Sequence, residues 1–91
     1  MNILVLDPEP KWRELWESRG ADTAGALEGA LALIDSRPRY DKVILSSRLM
    51  YCIPALLQAG LRVEVATASP TTTESAEAYR VGASDYYTKS F

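Results

Sequence analysis

The sequence contains no histidine and a single cysteine, Cys52. Without histidine, no nucleophile can be paired with an imidazole base, and a Cys/His zinc site is excluded as well. A lone cysteine excludes an internal disulfide. Long hydrophobic runs are also missing: no apolar stretch approaches the ~20 residues that a membrane-spanning helix needs. The first apolar run stops at Asp7 and has no charged segment before it, so no signal peptide is read. Charge of one sign is scarce too, since 10 basic and 12 acidic residues leave a formal net charge of −2. The basic residues are scattered and form no stripe of the kind that nucleic acid requires. These absences lead us to expect a cytoplasmic protein whose partners are neither nucleic acid nor membrane.

What is present is an ordered alternation. At 91 residues, 47% of them hydrophobic, the chain is long enough for one small domain and not for two, so residues 1–91 are read as a single unit. Ile3 to Leu6 is a continuous apolar run ended by Asp7-Pro8, as in a strand buried on both faces. Pro10 suits a helical first turn, Trp12, Leu15 and Trp16 share one helical face that spacing places in the core, and Gly20 ends the segment. Ala21 to Ala24 is a weak strand. Leu27, Ala30, Leu31 and Ile34 then make a helical stripe, stopped by Arg37-Pro38. Val43 to Leu45 and Val63 to Thr67 are further strands, separated by a short helix with Ile53, Leu56 and Leu57 inward. Ser69-Pro70-Thr71 offers capping chemistry for a helix closed by Gly82, and Asp85 to Thr88 is the last strand. Strands alternating with helices over short connections predict a three-layer, doubly wound parallel α/β sheet.

Four segments in this order resemble the receiver domain of bacterial two-component response regulators. They are ILVLDPEPKWREL, YDKVILS, VEVATAS and the closing YRVGASDYYTKSF. The resemblance implies a flavodoxin/CheY-like fold with strand order 2-1-3-4-5. In that family two acids and a phosphoacceptor aspartate hold magnesium, while a hydroxyl residue and a lysine engage the phosphoryl oxygens. Placed on this sequence, the first acid is Asp7, the second falls on Pro8, and the acceptor falls on Ser46. The hydroxyl is Thr67, the switch aromatic Tyr86 and the lysine Lys89, with Ser90 where the family has proline.

One magnesium ligand and the nucleophile are therefore replaced. Glu9 could lean in, but Pro8 and Pro10 stiffen the backbone around it. A serine forms no acyl phosphate and has no base beside it here. Ser46 and Ser47 read most simply as a strand end bonded to local backbone, Thr67 as a strand-end hydroxyl, and Asp7 with Lys89 as an internal salt bridge. No catalytic residue, metal or cofactor is expected.

The resemblance also sets lengths. The first and third helices are shortened, and the sequence leaves no residues for a fifth helix, so apolar surface is expected to face water on that side of the sheet. Self-association, a protein partner or a missing downstream region would cover it. Met50, Tyr51 and Ile53 after the third strand, together with Tyr86, Tyr87 and Phe91, are candidate contact residues. The consecutive tyrosines must point to opposite faces. The reading is a non-enzymatic, phosphorylation-independent regulatory module that acts by protein–protein contact. The alternatives are a small flavodoxin-like protein holding a phosphate-bearing ligand or nucleotide above Thr67 and Lys89, and a residual receiver with a nonstandard acceptor. The DPEP turn, which lacks glycine, counts against the first of these.

Overall fold

The computed structural model describes residues 2–36 and 39–89. The elements run β1 (Ile3–Leu6), α1 (Pro10–Glu17), β2 (Asp22–Ala24), α2 (Leu27–Ser36), β3 (Lys42–Ser46), a 3-10 helix (Ser47–Cys52), α3 (Ile53–Gln58), β4 (Val63–Thr67), α4 (Thr72–Arg80) and β5 (Asp85–Thr88). All pairings are parallel, in the order β2-β1-β3-β4-β5. Both the layout and the strand order are those expected. The continuous apolar runs have the reason given for them: β3 and β4 sit inside the sheet, with helices over one face and large side chains over the other, and every residue of β4 is buried.

Alternation along the strands divides the core in two. Leu4, Leu6, Val43, Leu45, Val63 and Val65 face the larger cluster, closed by Ala30 of α2, Ile53 and Leu56 of α3 and Ala78 of α4. Val5, Ile44 and Ala66 face the other side, where Trp16 of α1 and Tyr87 of β5 pack over them. That second face is not bare, contrary to the expectation from sequence. Val5 is 2%, Ile44 3% and Ala66 3% exposed. Two large aromatics and a buried carboxylate do the covering: Glu64 accepts from Lys42 Nζ at 3.1 Å and from the Tyr87 hydroxyl at 2.9 Å. A phenol laid across the sheet and tied at its far end shields small side chains beneath it.

Trp12 and Trp16 are half-buried rather than core residues, and α1 has no fully buried residue. An eight-residue helix at the margin of the sheet gives its aromatics one side against protein and one against solvent. Among the described residues no helix is long and apolar enough to cross a membrane. Arg37 and Pro38, read as the stop of α2, lie outside the described residues, as do Ser90 and Phe91.

Candidate functional site

A parallel sheet presents the ends of all its strands along one edge, where open α/β folds place their sites. Here that edge brings together Asp7 after β1, Ser46 at the end of β3, Thr67 at the end of β4 and Lys89 after β5. Asp7 is 2% exposed and every polar atom it has is occupied. Its amide donates to the Ala24 carbonyl at 3.0 Å, and its carbonyl accepts from Arg13 Nη1 at 2.9 Å. Oδ1 accepts from the Glu9 amide at 2.9 Å, and Oδ2 accepts from Lys89 Nζ at 2.6 Å. The Lys89–Asp7 pair is almost wholly out of solvent, the two side chains being 4% and 3% exposed. Trp12 closes the pair, with its ring centroid 5.0 Å from the ammonium, within cation–π range. Lys89 is also anchored by its own amide, which donates to the Thr67 carbonyl at 2.8 Å.

Pro8 offers no ligand. Glu9 turns outward to Arg48, with 3.6 Å between Oε1 and Nη1. Ser46 is buried, and its hydroxyl accepts from the Arg48 amide at 3.3 Å, capping the 3-10 helix as a strand-end serine does. The Thr67 hydroxyl oxygen accepts from the Ser47 hydroxyl at 3.1 Å and from the Ser69 amide at 3.2 Å. Tyr86 donates its hydroxyl to Glu74 Oε1 at 2.6 Å and accepts from the Thr71 amide at 3.3 Å. Burial, and then the bond to Glu74, push the Tyr86 phenol above the usual tyrosine range, while the Thr71 amide and Thr67 pull the other way.

Between these groups lies a shallow pocket of about 190 Å³, floored by Ser46, Ser47, Thr67 and Ser69. Glu9 and Glu74 on its rim balance Arg48 and Lys89, and behind them Asp7 is balanced by Arg13 on its carbonyl, so the neighbourhood carries no net charge. A hard divalent cation wants several carboxylate oxygens. Asp7 is already bonded to an ammonium and an amide, Ser46 brings a hydroxyl, and no cluster of three potential metal ligands exists among the described residues. The residues present therefore do not fit a magnesium site.

The proposed contact residues fare differently from one another. Tyr51 is 77% exposed. Ile53 is fully buried and Met50 packs on the larger core cluster, so Ile53 presents no surface at all. The 3-10 helix explains this, since three residues per turn stack Met50 and Ile53 on the inward side and leave Tyr51 outside. Tyr86 and Tyr87 do point to opposite faces, Tyr86 onto the larger cluster and Tyr87 onto the smaller. Phe91 lies outside the described residues. Four residues central to this geometry were not placed at the site by the sequence reading: Trp12, which it put in the core, and Arg13, Arg48 and Glu74. Only Glu74 carried a signal, its three-residue spacing from the capping Thr71.

No protein-family model matches the chain, and neither does any curated protein. Solved structures do. HP1043, an orphan response regulator of H. pylori, is 25% identical with a TM-score of 0.73, over 100% of this chain and 84% of that one. An atypical orphan response regulator described as having a phosphorylation-independent regulatory mechanism is 26% identical with a TM-score of 0.68, over 94% and 79% of the two chains. A response regulator from Thermotoga maritima is 19% identical with a TM-score of 0.77, over 99% and 85%. The chain thus has the fold of a response regulator receiver domain, and its structural neighbours are receiver domains, orphan and atypical ones among them.

Proposed function

We propose that this chain is a receiver-like signalling module that works without phosphorylation and without catalysis, through protein–protein contact. The observation that carries the reading is the state of Asp7. The carboxylate that would hold a metal is buried against Lys89 and the Glu9 amide, while the strand that would deliver an acceptor aspartate ends in the capped Ser46. The description of one neighbour as phosphorylation-independent supports the same reading. The balance of charge around the pocket disfavours a phosphate-bearing ligand, which would meet as many carboxylates as cations rather than a basic cradle. Among the described residues Tyr51 is the best-exposed aromatic for a contact. A second copy of the chain is one candidate partner, a neighbour being a receiver domain dimer. Such a contact would centre on Trp16 and Tyr87, which already roof the second face.

The test is an amide NMR titration with beryllofluoride and Mg²⁺. We expect the resonances of Asp7, Ser46, Thr67 and Lys89 to stay where they are. Saturable shifts clustered on those four residues would overturn the reading, whichever partner the protein has.

A further inference from the structure

We propose that Asp85 guards the outer edge of β5, capping a backbone amide through which a second copy of the chain would otherwise pair with it strand to strand. This stands apart from the pocket and from whether the pocket ever takes a phosphoryl group. In the order β2-β1-β3-β4-β5 the outer strands are β2 and β5. An outer strand offers a row of backbone donors and acceptors to any other strand that meets it. β2 offers little. It has three residues, and the Asp7 amide donates to the Ala24 carbonyl, so Asp22 and Ala24 face β1 and Thr23 alone turns outward. β5 offers more. The Lys89 amide donates to the Thr67 carbonyl, which by alternation turns Asp85 and Tyr87 toward β4 and leaves the backbone groups of Tyr86 and Thr88 on the outer side. Tyr86-Tyr87-Thr88 is also a run of strong strand formers without proline.

The outward Tyr86 amide is already taken. It donates to Asp85 Oδ1 at 2.8 Å, and the Tyr79 hydroxyl of α4 donates to the same oxygen at 3.4 Å. The carboxylate therefore lies along the edge, held by the strand and by the helix, while Asp85 itself stays exposed. An incoming strand would have to displace it and take a charge out of water, which is costly. The strand kept out is β5 of a second copy. A contact about a two-fold axis needs a patch that complements itself, and β5 set antiparallel to its own copy brings Tyr86 of each against Thr88 of the other. Both are outward residues, so each such pair would exchange two backbone hydrogen bonds. That exchange needs the amide that Asp85 holds.

Sedimentation velocity over a concentration series, paired with amide exchange by NMR on the whole chain, tests this. Asp85→Ala removes the cap and should self-associate at least about tenfold more tightly than the parent, the size of one hydrogen bond regained per copy. In that variant the Tyr86 and Thr88 amides should exchange more slowly as concentration rises, which places the contact at the edge rather than over Trp16. Asp85→Asn keeps the Oδ1 acceptor and should associate as the parent does. Thr88→Pro removes the second outward amide without touching the β4 ladder, and added to Asp85→Ala it should restore the parent's behaviour. Asp85→Val, which suits a strand, takes the place of Asp85→Ala if that variant fails to fold. Parent-like association of the uncapped variant, association that survives Thr88→Pro, Asp85→Asn associating as tightly as Asp85→Ala, or edge amides indifferent to concentration would each overturn the proposal.

Discussion

A carboxylate and an ammonium at 3% and 4% exposure hold their places only as a pair, because each alone would be a buried charge. Removing one partner leaves that uncompensated charge, so Lys89→Met should cost about 3–5 kcal/mol of stability, and Asp7→Asn a similar amount. The double variant Asp7→Asn/Lys89→Met should recover most of the loss, since an amide and a thioether carry no charge to strand. Urea midpoints for the four proteins check this, and a double variant as unstable as the sum of the singles would show that the pair is not coupled. Sequence order could place Asp7 and Lys89 at one edge, because both follow strands of one parallel sheet. It could not show Trp12 over the ammonium or Arg13 on the Asp7 carbonyl. Both depend on how a short helix sits on the sheet, which the helical period alone does not determine. Arg13 reaches that carbonyl across Gly25, where a Cβ would stand 3.0 Å from Nη1.

Among the elements, β1, β3 and β4 were the most legible, since burial on both faces leaves unbroken apolar runs that few other structures need. The segment after β3 was the least legible. Over six residues a period of three and one of 3.6 diverge by only about a third of a turn, so Met50 and Ile53 could be read as surface although both face inward. Helix ends were legible through their glycines, and α4 gives a direct test. Gly82 has φ 112°, and a Cβ built there would stand 2.5 Å from Leu57 Cδ1. Gly20 also has positive φ, at 89°, with nothing within 4 Å. Gly20→Ala should therefore cost only the conformational term of about 1–2 kcal/mol. Gly82→Ala should cost that and more, as Leu57 must move. Thermal midpoints of the two variants check the order, and equal losses would mean that Leu57 yields freely.

At the scale of the whole molecule, the second face of the sheet is where stability should respond to alkaline pH. Burial, and then the bond to Glu64, hold the Tyr87 phenol well above the usual tyrosine value. In the unfolded chain this phenol ionises near pH ~10, whereas in the fold it keeps its proton to higher pH. The fold binds that proton more tightly than the unfolded chain does. Its contribution is therefore complete below about pH 10 and is lost as pH rises through the folded-state value. Tyr87→Phe should flatten the loss of stability between about pH 9 and about pH 12, read from urea midpoints across that range. An unchanged slope would assign the alkaline response to other groups.

The bond between Lys89 and Asp7 joins residues 82 positions apart, and this has a consequence for the order in which the fold is made. Closing so long a loop is entropically expensive until the intervening strands have already brought its ends together. The pair is therefore expected to form late in folding, after the β1–β3, β3–β4 and β4–β5 ladders. Interactions that form after the rate-limiting barrier act on unfolding rather than folding rates. On that order Lys89 and Trp12 are expected to act as a late latch, governing how long the native fold persists once made rather than how quickly it is reached.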